Sequence, residues 1–197
     1  MSINNTPRAN RPHIAIFGRR NAGKSSLINA ITGQDIALVS EQAGTTTDPV
    51  YKSMEILPLG PCVLIDTAGI DDEGSLGQLR VKKTREVLNQ TDLALLVIDP
   101  ALGISEFEQE LKQEIRSRKI ALIGVLNKID QGQVDQKSLE KQLGLSLVAV
   151  SSRSGEGIEF LKERIIERAP AHFEEAHIVG DLIEPGDTGL LVVPIDM

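Results

Sequence analysis

The stretch GRRNAGKSS, residues 18–26, places glycines, an asparagine and a lysine between an apolar run and a helical pattern. It fits G-x-x-x-x-G-K-S/T, in which backbone N–H groups at the start of a helix bind phosphate. Lys24 would neutralise the β- and γ-phosphates of a nucleotide, and the Ser25 hydroxyl would be a ligand of Mg²⁺. The alternative, a glycine-rich turn with a solvated lysine, is disfavoured because chance matches to this pattern are rare at ordinary glycine usage. The predicted phosphate-binding residues are Asn21, Ala22, Gly23, Lys24, Ser25 and Ser26.

A second acidic motif, LIDTAG at residues 64–69, ends another apolar run. We expect Asp66 to hold Mg²⁺ through a water molecule and the Gly69 N–H to meet the γ-phosphate. An aspartate before a glycine turn is common on its own. Its position after the phosphate-binding stretch makes it informative, because a phosphoryl-transfer site needs a second acid at this point.

The motif NKID, residues 127–130, predicts which base is bound. The Asp130 carboxylate offers two acceptors that match the N1–H and the exocyclic amino group of guanine, whereas adenine would leave them unpaired. Lys128 would lie along the base, and Asn127 would tie this loop to the phosphate-binding stretch. A surface turn after a strand is the alternative. In this context we also expect a backbone N–H of the SSR motif to bind guanine O6, and the residues of this motif are Ser151, Ser152 and Arg153.

The threonine-rich segment AGTTTDP, residues 43–49, lies between the first helix and the second strand. One of its threonines should close onto Mg²⁺ when a γ-phosphate is bound. Alone, the segment is equally typical of a turn-rich loop. The motifs GRRNAGKSS, AGTTTDP, LIDTAG and NKID follow one another in this order along the chain. Together they predict an enzyme that binds GTP and hydrolyses it to GDP and phosphate.

Apolar runs and amphipathic patterns alternate along the chain and predict the elements that position these motifs. The predicted strands cover residues 13–17, 50–57, 62–66, 92–98, 119–126 and 147–150. The predicted helices cover residues 24–32, 75–90, 105–118, 135–143 and 156–168. Only PLGP separates the second and third strands, so these two must form an antiparallel hairpin. The prediction is an α/β P-loop NTPase fold of the Ras-like type: a mostly parallel six-stranded sheet, one antiparallel edge strand, and helices on both faces.

The sequence resembles the GTPases of the TrmE–Era class and, more closely, the HydF family of iron–iron hydrogenase maturation GTPases. The general features are GRRNAGKSSLINA, DTAG, NKID and SSRSGEGI. The more specific features are AGTTTDPVYKSMEILPLGP, DTAGIDDEGSLGQLRVKKT and the tail HIVGDLIEPGDTGLLVVPID. The resemblance extends over residues 11–197 and implies a scaffold that assembles and delivers the hydrogenase active-site cluster. The implied partners are the hydrogenase, the other maturases and a second copy of the chain as a homodimer.

The resemblance also implies roles for individual residues. Matching GTTTD to the related pattern G-T-T-R-D makes Thr46 the Mg²⁺ threonine, with Thr47 in place of the arginine. Asn21 corresponds to the P-loop asparagine that binds K⁺ in this class. The expected catalytic residues are therefore Lys24, Thr46 and Asn21, and the expected turnover is slow and stimulated by potassium.

The sequence departs from the Ras-like pattern at Ile70, where a glutamine would orient the attacking water. Gln78 lies near the position at which related tRNA-modifying GTPases carry a switch glutamate. The nearby acids at residues 71–73 are equally explained as solvated loop charges. No general base is assigned, and two rival functions stay open: a GTPase of tRNA modification or ribosome assembly, and a GTP-binding module with negligible turnover.

The domain organisation is predicted from changes in composition. Residues 1–12 are a polar arm, residues 13–169 form the GTPase domain, and residues 170–197 are a linker with the beginning of a truncated dimerisation domain. A C-terminal hairpin packed on the GTPase domain is the alternative for the tail. Cys62 is the only cysteine, so no iron–sulfur cluster is expected in this chain, and it is interpreted as a buried strand residue.

Charge and hydropathy limit the remaining partners. A net charge of −7 and 3% aromatic residues argue against nucleic-acid binding. No apolar run approaches the roughly 18 residues that a membrane span needs, so we expect no membrane partner and a cytoplasmic location.

Overall fold

The computed structural model describes residues 11–33, 49–67 and 77–170, and for residues 77–82 it describes the backbone alone. The strands are β1 His13–Phe17, β2 Val50–Ile56, β3 Gly60–Asp66, β4 Leu93–Ile98, β5 Ala121–Leu126 and β6 Leu147–Ala149. The helices are α1 Lys24–Thr32, α2 Gly77–Leu88, α3 Glu106–Ser117, α4 Gln136–Leu143 and α5 Ile158–Arg168. A 3-10 turn at Ile129–Gln131 follows β5.

The strands form one six-stranded sheet in the order β2-β3-β1-β4-β5-β6. All neighbouring strands are parallel except β2 and β3, which are antiparallel. The hairpin prediction is therefore confirmed, and so is the predicted fold class. Because β1 lies between β3 and β4, the loops that follow these three strands emerge at the same edge of the sheet.

The core lies on both faces of the sheet because strand side chains alternate in direction. On β1, Ile14 and Ile16 belong to the cluster that includes α1 and α5, whereas Ala15 and Phe17 belong to the cluster on the opposite face. The second cluster draws side chains from α2, α3 and α4. Both faces of the central strands are thus apolar, which explains why these strands are continuous apolar runs.

The predicted elements differ from the observed ones by at most two residues at any end. The start of the domain differs in another respect. Arg11 and Pro12, assigned to the polar arm, are buried, and the Pro12 carbonyl accepts a hydrogen bond of 2.9 Å from Val63 N–H. Residues 1–10 and 171–197 lie outside the described part of the chain, so the proposals for the arm and the tail stay predictions.

Cys62 is fully buried in β3, which confirms its interpretation as a core residue. Burial raises the pKa of the Cys62 thiol to about 12, while the nearby Arg11 charge lowers it by a smaller amount. The thiol therefore stays protonated at neutral pH and is a poor nucleophile. Among the described residues, no helix has the length and apolar character that crossing a bilayer requires.

Candidate functional site

The P-loop, residues 18–25, connects the end of β1 to the first turn of α1. Asn21 and Gly23 adopt left-handed backbone conformations with φ of 62° and 89°. A Cβ at Gly23 would collide with the side-chain amide nitrogen of Asn127, so both the backbone angle and the space require glycine. Gly23 is the N-cap residue of α1, and it has no side chain that could accept hydrogen bonds from the N–H groups of the first turn. The N–H groups at the start of this helix can therefore donate to an anion.

The Lys24 side chain folds back over the P-loop. Its ammonium lies 2.5 Å from the Gly18 carbonyl oxygen and 3.0 Å from the Arg19 carbonyl oxygen. The residue is only 5% exposed. The loop thus holds one cation beside the N–H groups at the helix start, an arrangement that concentrates positive potential for a phosphate.

Ser25 and Asp66 meet at the edge of the sheet, as the sequence predicts for two Mg²⁺-binding residues. The Ser25 hydroxyl donates to Asp66 Oδ2 at 2.6 Å. The register of β1 and β3, with Ile16 opposite Asp66, brings the aspartate beside the P-loop. The next residue fixes this strand end, because the Thr67 hydroxyl donates to the Ile16 carbonyl at 2.6 Å. A hydroxyl and a carboxylate so close together are oxygen donors of the kind that Mg²⁺ prefers.

Asn127 links three loops through its side-chain amide, which is buried with the residue 1% exposed. Its Nδ2 donates to the Ala22 carbonyl at 3.0 Å. Its Oδ1 accepts from the Ser152 N–H at 3.1 Å and from the Ser152 hydroxyl at 2.8 Å. The predicted link between the NKID loop and the P-loop is therefore present, and the same side chain also holds the SSR loop.

Lys128 makes a second link between the base loop, residues 127–130, and the P-loop. Its backbone is left-handed with φ of 63°. Its ammonium lies 2.6 Å from the Asn21 carbonyl oxygen and 2.7 Å from Asp99 Oδ2. Asp99 is 7% exposed and was not predicted as a site residue. Its position in the sequence could have identified it, because Asp99 directly follows the apolar run of β4 just as Asp66 ends the apolar run of β3.

Asp130 presents an exposed carboxylate beside the SSR loop. Its Oδ1 accepts a 2.7 Å hydrogen bond from the Ser151 hydroxyl. Ser151 is buried, and its oxygen also accepts from the Ser154 N–H at 3.1 Å, so the serine is held in place. Arg153 is exposed on the same loop. A carboxylate fixed in this way offers acceptors to a planar ligand that approaches from solvent.

Several predicted residues lie outside the described part of the chain. These are Thr46 and Gly69 from the nucleotide and metal predictions, and Ile70 with the acids at 71–73 from the discussion of catalysis. For Gln78, only the backbone is described, within α2. Their roles stay predictions. The remaining predicted residues come together at one edge of the sheet: in the P-loop and the first turn of α1, at the end of β3, and on the loops that follow β5 and β6.

A protein-family profile described as 50S ribosome-binding GTPase matches residues 13–128. This span contains the P-loop, Asp66 and the start of the NKID motif. The chain belongs to this GTPase family. Within the curated proteins, the GTPase is 37% identical over 164 residues to the tRNA modification GTPase MnmE of Aquifex aeolicus, and this match covers 83% of the chain and 36% of the relative. It is also 37% identical to GTPase Der of Wolinella succinogenes, with 78% of the chain and 35% of the relative covered.

Solved structures agree with this membership. The GTPase resembles Aquifex aeolicus Era bound to GDP·AlF₄⁻ with a TM-score of 0.66 and 28% identity, over 80% of this chain and 56% of that one. A structure of Era with MgGDPNP and a 16S ribosomal RNA segment gives a TM-score of 0.66 at 26% identity, over 94% of this chain and 60% of that one. The chain spans about a third of the length of the curated relatives MnmE and Der. The chain accordingly contains a GTPase domain of the TrmE–Era–Der class.

Proposed function

We propose that GTP binds along the edge of the sheet, with its phosphates on the P-loop and its guanine against Asp130 and the SSR loop. The observation that carries this proposal is the buried Asn127 amide, which hydrogen-bonds both to Ala22 of the P-loop and to Ser152. One side chain thus fixes the distance between the proposed phosphate and base sites. A site with this distance fixed can hold the base and the phosphates of one nucleotide at the same time.

The phosphates and Mg²⁺ are assigned to residues at the P-loop end of the site. N–H groups from Asn21 to Ser26 would surround the β-phosphate, and Gly69 would meet the γ-phosphate. Ser25, Asp66 and Thr46 would hold Mg²⁺, which supplies positive charge to the β- and γ-phosphate oxygens when it is bound. Lys24 would add a fixed charge to the same oxygens and stabilise the charge that develops during hydrolysis.

Asn21 is proposed as the ligand of a potassium ion. Its side chain is exposed and its backbone is left-handed, so the amide oxygen can approach an ion in front of the P-loop. K⁺ at this point would supply positive charge between the β- and γ-phosphates. Such charge matters here because Ile70 cannot orient water as glutamine does.

We predict that K⁺ raises the rate of GTP hydrolysis at least about tenfold above Na⁺ at equal ionic strength, since a well-placed cation can contribute about 10³–10⁵-fold. Asn21→Ala should remove most of this difference. The measurement is phosphate release in matched KCl and NaCl. If Asn21 only shapes the turn, the variant will lose nucleotide affinity and keep its preference for K⁺. Equal wild-type rates in the two salts would remove Asn21 from the catalytic residues.

For the process that this hydrolysis drives, we propose a role in tRNA modification or ribosome assembly. The supporting observation is the set of relatives: MnmE is a tRNA modification GTPase, and the Era structure contains ribosomal RNA. This similarity conflicts with the expectation of no nucleic-acid partner. The net charge of −7 belongs to the whole chain and leaves room for a local RNA contact.

Hydrogenase maturation is the second candidate, favoured by a specific observation. Residues 43–61, 66–84 and 177–196 resemble the HydF family. Under this proposal the partners are the hydrogenase and the other maturases, and a homodimer is the functional unit.

Deleting the gene in its host separates the two candidates. The first predicts loss of modified tRNA nucleosides, measured by mass spectrometry, or accumulation of free ribosomal subunits on a sucrose gradient. The second predicts loss of hydrogenase activity with tRNA and ribosomes unchanged, and that result would overturn the first proposal. Complementation with the wild-type gene and with Lys24→Ala shows whether the phenotype depends on the nucleotide site.

A further inference from the structure

The Arg19 side chain leaves the P-loop and packs against the start of α3. Its Nε donates to Glu108 Oε1 at 2.6 Å. One terminal nitrogen donates to the Leu102 carbonyl at 3.1 Å and also to the Gly103 carbonyl. The guanidinium is therefore engaged by the segment between β4 and α3. This arginine is the second residue of the P-loop, at one of the variable positions of the G-x-x-x-x-G-K-S/T pattern.

Glu108 is suited to hold this arginine because its carboxylate is fixed and buried. The residue is 1% exposed. Its Oε2 accepts from the Ser105 N–H at 2.8 Å, which is one half of the capping box of α3, and also from the Ser105 hydroxyl at 2.6 Å. A carboxylate this deeply buried is costly unless it is paired and hydrogen-bonded. Arg19 supplies the charge that compensates it, so the two side chains hold each other in one geometry.

The backbone of Arg19 lies in the proposed phosphate site. Its carbonyl accepts from the Lys24 ammonium at 3.0 Å and from the Ala22 N–H at 3.2 Å. A shift of Arg19 would therefore move the phosphate-binding lysine and the turn that follows. The side chain of this residue is anchored on α3, while its backbone shapes the P-loop.

The same segment supports the P-loop at a second point. Asp99, at its start, pairs with Lys128, whose ammonium also reaches the Asn21 carbonyl. The segment 99–108 thus contacts the P-loop directly at Arg19 and through Lys128 at Asn21. Two buried acids of this segment, Asp99 and Glu108, therefore support the P-loop through their ion pairs with Lys128 and Arg19.

We propose that Arg19 is a positioning residue, and that its ion pair with Glu108 holds the P-loop in the conformation that binds the nucleotide's phosphates. Arg19 itself does not contact the phosphates. The inference rests on the proposed GTP site, and it adds a determinant of phosphate affinity, Glu108, that lies outside the nucleotide motifs.

The test compares Arg19→Gln and Glu108→Gln with a matched control on the same helix, Glu114→Gln. Glu114 forms an ion pair of 3.0 Å with Arg118 near the far end of α3, and it is partly exposed. The measurements are the dissociation constants of fluorescent GDP and ADP analogues, and kcat and KM for GTP hydrolysis. Thermal unfolding of each variant is measured first. Binding and kinetics are then measured at a temperature at which all variants are folded.

We expect Arg19→Gln and Glu108→Gln to weaken GDP binding about 10- to 100-fold, because small displacements of a binding group have effects of this size. The ratio of GDP to ADP affinity should stay at the wild-type value, because the base loop is unchanged. A general loosening of the fold would lower that ratio as well. Glu114→Gln should change GDP affinity less than about twofold, as exposed ion pairs contribute little.

Arg19→Lys keeps the inference testable if Glu108→Gln does not fold. Lysine retains a charge for Glu108 but cannot donate at the same time to both loop carbonyls, so an intermediate loss of GDP affinity is expected. GDP affinity within twofold of wild type for Arg19→Gln would overturn the inference. A large fall in kcat with unchanged GDP affinity would also overturn it, since Arg19 would then act on the reacting phosphate. Failure of the wild-type protein to bind GDP would instead contradict the proposed function.

Discussion

Asp130→Asn is expected to change the base that the protein selects, from guanine to xanthine. The carboxylate offers two acceptors, which match the N1–H and the amino group of guanine. Asparagine replaces one acceptor with a donor, and xanthine carries a carbonyl where guanine carries the amino group. Because a polar site rejects a ligand that leaves its groups unpaired, GTP affinity should fall by about 10⁴-fold while XTP affinity rises.

The surroundings of Asp130 can accommodate an asparagine side chain. Its Oδ1 accepts from the Ser151 hydroxyl at 2.7 Å, and the residue is exposed, so asparagine fits without a new buried polar group. Competition binding with GTP, XTP and ATP measures the change. Asp135→Asn is the matched control, because Asp135 caps α4 through the Ser138 N–H and asparagine caps equally well. A variant at position 130 that keeps wild-type GTP affinity and does not gain XTP affinity would contradict the base assignment.

Lys24→Ala has the second largest expected effect, a loss of GTP hydrolysis of about 10²–10³-fold in kcat together with weaker nucleotide binding. The ammonium is buried within the P-loop, 2.5 Å from the Gly18 carbonyl. Removal of this charge leaves the β- and γ-phosphates with fewer fixed partners. The loss of affinity should be greater for GTP than for GMP, because GMP lacks both of these phosphates.

Single-turnover hydrolysis and GDP binding measure the effect of Lys24→Ala. Lys162→Ala serves as control, because Lys162 pairs with Glu159 at the surface of α5. The control should hydrolyse GTP at the wild-type rate. If Lys24→Ala also did so, the P-loop assignment would be wrong.

Most of the fold could be predicted because its signals are local. The central strands have apolar residues on both faces, so β4 and β5 are visible as continuous apolar runs. The short connection PLGP excluded a crossover helix and predicted the antiparallel pair β2–β3. The nucleotide motifs lie at strand ends, where the fold itself brings them together.

The contacts that the β4–α3 segment makes with the site could not be predicted, because they join motif residues to distant acids that belong to no nucleotide motif. Arg19 and Glu108 are separated by 89 positions, and Lys128 and Asp99 by 29. Each of these side chains has an ordinary surface interpretation in sequence, and only the packing of the β4–α3 segment beside the P-loop pairs them. The pattern S-x-x-E at residues 105–108 is typical of a capping box at a helix start, but it gives no sign that its glutamate also pairs with the P-loop.

The cellular process could not be predicted from the nucleotide residues for a chemical reason. In the site that we propose, the P-loop, Asp66 and the NKID motif recognise only GTP and the ions bound with it. Surfaces that select RNA or a protein partner need not include these residues, and two relatives that are each 37% identical to this chain carry different names. Function beyond GTP hydrolysis therefore rests on other segments.

Calorimetric titration of the wild-type protein with slowly hydrolysed analogues of GTP and ATP, in Mg²⁺, tests the central claim most directly. The Asp130 carboxylate predicts that the GTP analogue binds at one site and that the ATP analogue binds about 10⁴-fold more weakly. Omission of Mg²⁺ should weaken binding of the GTP analogue. Equal affinities for the two analogues would contradict the claim that this protein is a guanine-specific nucleotide hydrolase.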